Sequence, residues 1–160
     1  MSDFSHIDSS NQPSMVDISG KTVSHRTAVA QSIVQLDENI FSKLEGGEIQ
    51  SKKGPVFQTA ILAGVMAAKK TSDLIPLCHP LPLNNCKIDI EPISNHQVKV
   101  ICSVSTDHKT GVEMEALTGA SVASLTLYDM CKALSHHIRI LDTRLISKQG
   151  GKKDFQADQQ

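Results

Sequence analysis

The sequence predicts an α+β fold, an antiparallel sheet with helices packed on one face. Three observations carry that prediction. Two long apolar stretches have helical character; the segments around them alternate as strands do; and two of those strands follow one another across a single short turn. The order is strand, helices, strand, strand, helix, strand, which is the split βαβ or ferredoxin-like pattern.

The first strand is read in TVSHRTAVAQSIVQL, from Val23 to Gln31, with His25, Thr27 and Val29 on one face and Arg26 and Ala28 on the other. A helical reading competes, because Val29, Ile33, Leu36 and Ile40 also fit helical spacing. Asp37 is placed to N-cap a short helix that the glycines of EGGE (45–48) would end. A polar, basic loop, QSKKG, leads to Pro55 in the first turn of a buried helix running from Val56 to Lys70. The proline-rich TSDLIPLCHPLPL (71–83) then reads as a rigid irregular stretch. CKIDIEPI and HQVKVICSVS form a hairpin around Ser94 and Asn95. A second helix covers Ala116 to Leu134, burying Ala120, Ala123, Leu127, Met130, Cys131 and Leu134, and HIRILDTRLIS closes the pattern as a strand. Residues 1–14 and 151–160 are expected to be flexible segments around one domain spanning 15–150.

At 160 residues one domain can bury roughly 70% of its unfolded surface. The net charge of -1 supplies no global field towards nucleic acid or a membrane. With no tryptophan and one tyrosine, base-stacking platforms are not expected either. The N-terminus lacks a basic segment followed by an apolar run, so no signal peptide is read, and no stretch has the roughly 20 apolar residues of a membrane helix. Cys78, Cys86, Cys102 and Cys131 include no C-x-x-C pair and read as reduced thiols of a cytoplasmic protein.

Four constellations carry candidate chemistry. Pro76 and Pro80 stiffen the backbone around Cys78 and His79, which suits a binding wall; a buried thiol beside a carbonyl-bonded histidine is the plainer alternative. Cysteines and histidines elsewhere do not fall at zinc-ligand spacing. In KTGVEMEALTGAS, Glu113 and Glu115 share a face if the backbone is extended, whereas a helix starting at once would make Thr110 and Glu113 a capping box. In YDMCK, Asp129 and Lys132 stand three apart on a largely apolar helix. Partial burial there would shift both pKa values towards proton transfer, and a surface ion pair would look the same. Loop lysines, among them Lys52, Lys53, Lys148, Lys152 and Lys153, together with Arg26, suit phosphate groups without forming a P-loop. Together they suggest acid–base chemistry on a phosphorylated small molecule. A non-catalytic regulatory module that binds such a metabolite is the competing function.

Two long motifs, KKTSDLIPLCHPLPL (69–83) and KTGVEMEALTGASVASLTLYDMCKA (109–133), resemble the cyclic pyranopterin monophosphate synthase family of molybdenum-cofactor biosynthesis. The resemblance extends from about Met15 to Lys152. It implies conversion of 3',8-cyclo-7,8-dihydroguanosine 5'-triphosphate (cyclic dihydro-GTP) to cyclic pyranopterin monophosphate and diphosphate. It also implies a homohexamer, a trimer of dimers, with active sites between subunits. Carried over by motif, Asp129 is the catalytic acid/base and Lys132 its partner. Leu77, Cys78, His79, Met114 and Glu115 bind substrate with Glu113 close by, and Lys53, Lys148 and Arg26 match the family's further functional cations. The C-terminal loop, KQGGKKD, departs from the family pattern beyond Lys148. No resident cofactor is expected, although a divalent cation such as Mg²⁺ could accompany the diphosphate.

Overall fold

The computed structural model describes residues 6–8 and 10–158. Its long strands are β1 (Ser24–Gln35), β5 (Asn85–Ile93), β6 (Gln97–His108) and β7 (Arg139–Gln149), hydrogen-bonded in the order β5-β6-β1-β7 with every neighbouring pair antiparallel. That is the ferredoxin-like sheet. A short strand, β8 (Phe155–Gln156), extends it beyond β7, so part of the 151–160 segment is paired.

The strand reading of residue 23 onward holds, and the helical competitor does not. β1 continues four residues past Gln31 because its register with β6 runs unbroken from Ser24↔His108 to Gln35↔Gln97. Ala28, Ala30, Ser32 and Val34, on one parity, are buried. Arg26 shares that parity, so it lies on the helix-covered face at the strand's start.

Three local expectations change between β1 and the first long helix. Asp37 occupies the N-cap of α1 (Glu38–Phe41), but its side chain makes no capping hydrogen bond. Gly46 and Gly47 do not end that helix. Their φ values of +58° and +81° make the two-residue turn between β2 (Leu44–Glu45) and β3 (Glu48–Ser51), where positive φ matches strand twist. QSKKG is a second tight hairpin rather than a loop, because Ser51 pairs with Gly54 at the start of β4 (Gly54–Pro55). Pro55 accordingly precedes α2 (Val56–Ala68) as its N-cap rather than sitting in its first turn.

One turn of helix, α3 (Thr71–Leu74), opens the proline segment, which then runs without regular structure to Asn84. The β5–β6 turn includes Asn95 and His96, at φ +59° and +58°. The second long helix, α4 (Glu113–Cys131), starts three residues earlier than expected and stops before Leu134, which is exposed.

Helices α2 and α4 lie side by side on the sheet. Ala60, Gly64 and Ala68 of α2 meet Ala116, Gly119, Ala120 and Ala123 of α4, so their backbones come unusually close. Beneath them Val34, Val98, Val100 and Cys102 of the sheet, with Leu127 of α4, complete a core of aliphatic and small residues.

Candidate active site

Strand register gathers several of the basic side chains. The start of β1 pairs with the ends of β6 and β7, through Ser24↔His108, Thr27↔Gln149 and Ala28↔Lys148. Arg26, Lys109 and Lys148 therefore converge at one end of the sheet. They line a recess of about 260 Å³ with Lys21, Lys152 and Lys153, opposite a single carboxylate, Glu113. Arg26 Nε donates to the His108 carbonyl at 2.9 Å, which fixes the guanidinium at the rim. Gly150, at φ +82°, turns the chain so closely over His25 that a side chain there would meet the His25 carbonyl.

The recess opens into a larger cleft of about 740 Å³, whose walls include Leu77, Cys78, His79, Met114 and Glu115. Thr110, Gly111, Glu113, Lys21 and Lys152 border both cavities. The result is one groove with the Leu77, Cys78, His79, Met114 and Glu115 wall at one end and cations at the other. The expected binding wall is thus present as a place: Leu77, Cys78 and His79 face the first turn of α4.

Neither sequence-level account of Glu113 and Glu115 survives. The backbone there is helical, not extended, and Thr110 makes no capping box because Val112 is the N-cap and lacks a side-chain cap. Glu113 instead accepts from Lys148 Nζ at 2.8 Å, a charged partner that outweighs a capping bond. Glu115 turns inward and is 4% exposed. Burial, with the charge of Glu113 adding to it, pushes its carboxyl up to about 7. Burial and then Glu115 likewise raise the Cys78 thiol, so its neutral form is favoured.

Glu115 makes stability depend on pH. Unfolded, it ionises near 4.5; folded, near about 7. Between those values the folded state keeps a proton that the unfolded chain has lost, so stability falls as pH rises through the window. Thermal melts at about pH 5 and about pH 8 are expected to show a smaller drop for Glu115→Gln than for the native chain. Equal drops would remove Glu115 as the source.

Asp129, Lys132 and Lys53 form a separate cluster at the other end of α4. Asp129 Oδ1 meets Lys132 Nζ at 2.7 Å and Oδ2 meets Lys53 Nζ at 2.9 Å. Lys53 comes from the β3–β4 turn, where Lys52, its neighbour, makes no such contact among the described residues. The pair is half exposed, not embedded among apolar neighbours, since Asp129 lies on the outer side of the last helical turns. Consequently the slight desolvation of the lysine is outweighed by its carboxylate partner. The lysines hold the Asp129 carboxyl down to about 2, Lys132 more than Lys53, and Asp129 in turn raises Lys132. Lowering of Lys132 towards neutrality, the direction expected for a buried proton donor, is not found in the single chain.

From Glu113 to Asp129 α4 advances sixteen residues, roughly 24 Å at 1.5 Å per residue. The structure therefore brings together two groups, not one: Leu77, Cys78, His79, Glu113, Met114, Glu115, Arg26 and Lys148 at one end, and Asp129, Lys132 and Lys53 at the other.

Lys21, Lys109 and Asp17 were not foreseen as site residues, whereas Lys153 was read only as one of the loop lysines. Lys109 Nζ donates to the Ser19 carbonyl at 2.8 Å, and Asp17 accepts from the Ser19 backbone and hydroxyl. These bonds lay residues 16–21 along the cleft. An Asp–x–Ser turn signal was legible in VDISGK; its place against the cleft was not. Among the described residues no group of three or more His, Cys, Asp and Glu side chains converges as a metal cage.

Such a groove, on a ferredoxin-like scaffold, has the room and the cations for a small anionic molecule. Comparison with known proteins gives the family. Residues 15–151 match the MoaC family, to which this chain belongs. It is 50% identical over 154 residues to the cyclic pyranopterin monophosphate synthase of Xanthomonas campestris pv. campestris, covering 96% of this chain and 93% of that protein. It is 56% identical over 155 residues to the molybdenum cofactor biosynthesis bifunctional protein of Synechocystis sp., where the match covers 94% of this chain and 45% of the relative. Molybdenum cofactor biosynthesis protein 1 of Dictyostelium discoideum is 54% identical over 167 residues, and the chain spans 26% of its length.

Proposed function

We infer that this chain catalyses the reaction for which its Xanthomonas relative is named. It rearranges cyclic dihydro-GTP to cyclic pyranopterin monophosphate and releases diphosphate, as a phosphorus–oxygen lyase of molybdenum-cofactor biosynthesis. The observation that carries this reading is the groove joining the Cys78–His79–Glu115 wall to the cations Arg26, Lys109 and Lys148. It suits a purine-derived ring at one end and a triphosphate at the other.

Two kinds of work are required of the protein. Protons must move while the ring system opens and re-forms as a pterin, and Asp129 supplies an acceptor with two donors, Lys132 and Lys53, each within 3 Å of it. Charge must be offset as a sugar hydroxyl attacks the α-phosphate and diphosphate leaves. The cationic recess is built for that, and Lys148 becomes available once phosphate displaces Glu113. Any Mg²⁺ arrives with the triphosphate and belongs to the substrate.

Since one nucleotide cannot touch both ends of α4, a second copy must bring its Asp129 cluster over the groove. This supports a homohexamer, a trimer of dimers, with shared sites. The covering copy would also deepen the desolvation of Lys132, which is outweighed in the single chain. Four free thiols suit the reducing cytoplasm.

Purified protein incubated with enzymatically prepared cyclic dihydro-GTP is expected to yield pterin and diphosphate by mass spectrometry; unchanged substrate would overturn the reading. Shared sites have their own test. Arg26→Ala and Asp129→Asn chains, each inactive, are expected to recover about a quarter of native turnover when reassembled together, because randomly mixed sites keep both halves that often. No recovery in verified mixed assemblies would place each site within one chain.

A further inference from the structure

Glu48 belongs to none of the motifs that point to the function, yet its carboxylate joins two elements, β3 and α2. Oε1 accepts from the backbone of Phe57 at 2.8 Å, and Oε2 accepts from that of Gln58 at 3.1 Å. These are first-turn donors of α2, which has no side-chain cap from Pro55. Oε1 also accepts from Ile49 at 2.7 Å, on β3 itself. Its charge is felt at Cys131, two residues beyond Asp129.

The hairpin that Glu48 begins carries Lys53 at its turn. Ser51 closes that turn from inside: its hydroxyl donates to the Gly54 carbonyl at 2.9 Å and accepts from the Lys53 backbone at 3.1 Å. Lys53 then reaches across to α4, donating to Asp129 Oδ2 at 2.9 Å and to the Asp129 carbonyl at 3.3 Å. The hairpin strands are only four and two residues long, too short to hold a fixed angle unaided. Glu48 is the charged tie between them and α2, and a carboxylate on helix N–H groups makes strong, directional bonds.

We propose that Glu48 is a positioning residue for the reaction: by tying the β3–β4 hairpin to the start of α2, it sets Lys53 against Asp129. It acts through Lys53 and touches no substrate. The proposal rests on the function inferred above for its kinetic consequence, but its geometric content stands apart. Misplacing a catalytic group by about 1 Å can cost about 10²-fold in rate, so Glu48→Ala should lower kcat far more than it raises KM. Glu48→Gln, whose amide oxygen keeps the bonds to Phe57 and Ile49, should restore turnover to within about tenfold of native.

The test combines kinetics with NMR of ¹³C-lysine-labelled protein, the Lys53 signal being assigned from Lys53→Arg. In the native protein that signal is expected to be distinct from those of free surface lysines. In Glu48→Ala it should collapse onto them while the Lys132 signal, held by its own helix, moves little; in Glu48→Gln it should stay. Loss of stability alone would lower the melting temperature without releasing Lys53, so an unmoved Lys53 signal in Glu48→Ala, or an unchanged kcat, overturns the proposal. Should the native chain make no pterin, the function inferred above falls, and the Lys53 signal still decides whether Glu48 positions it.

Discussion

Asp129→Asn is expected to leave a folded, assembled protein that binds cyclic dihydro-GTP and turns it over roughly 10²- to 10⁴-fold more slowly, the range for one general acid–base group. The substitution is nearly isosteric, and the side chain is half exposed, so its ion pairs contribute little to the fold. What it removes is specific. The carboxylate is held at about 2 by two ammonium groups and is charged at any working pH. Without it, Lys132 loses the cause of its raised pKa, and Lys53 and Lys132 face each other as like charges. The acceptor disappears and both donors are displaced together. Mass spectrometry of pterin and diphosphate gives the rate, and a thermal shift with substrate gives the binding. Native turnover in the variant would remove Asp129 from the chemistry. A binder without turnover in either form would favour the ligand-sensing module instead.

Gly64→Val is expected to cost about 3 kcal/mol of stability, at the upper end of what overpacking a core does. A Cβ at Gly64 would overlap Ile88 Cδ1 and lie 2.7 Å from the Gly119 carbonyl oxygen and 3.1 Å from Ala123 Cβ. The isoleucine could rotate, but the helical backbone carrying that carbonyl cannot. Gly119 repeats the constraint from the other side, since a Cβ there would sit 2.6 Å from Cys102 Sγ. Valine does relieve the helix of glycine's entropy, worth less than about 1 kcal/mol, which is too little to compensate. Urea unfolding at fixed protein concentration measures the difference. Gly20→Ala, at a position with open space around it, serves as the control and is expected to stay within about 0.5 kcal/mol. A Gly64→Val chain as stable as the control would mean that α2 and α4 separate more easily than their packing implies.

Those same glycines show what the sequence concealed. Alternation and turn residues were enough for the sheet, because period-two burial and a Ser–Asn turn are local signals. Ala60, Gly64 and Ala68 are used within the chain against α4. Nothing local tells which neighbour a small residue serves. Gly46 and Gly47 were misread for a related reason: positive φ fits both a helix end and a two-residue hairpin, and only the pairing of Glu45 with Glu48 decides. For the site, the long motifs put the residues in one set, and the structure divides them between two places. Glu115 lies far in sequence from Cys78 and His79 yet shares one cleft with them. Asp129 shares a motif with Glu113 and Glu115, and the helix carries it away. Lys21 and Lys109 owe their positions to strand register and to one hydrogen bond with Ser19, neither of which has a sequence signature.

The straight run of α4 between the two clusters acts as a ruler. Inserting one residue within it would advance the Asp129 end by about 1.5 Å and swing it by about 100°, turning the carboxylate away from Lys53 and from any neighbouring copy. Length drift over evolution is therefore expected in the N-terminal segment, around Gly46 and in the loop after Gln149, while the distance from Glu113 to Asp129 stays constant among active relatives. Aligned sequences can be counted for this directly. An active relative with one residue more or fewer between its matching glutamate and aspartate would show that the two ends of the helix need no common measure.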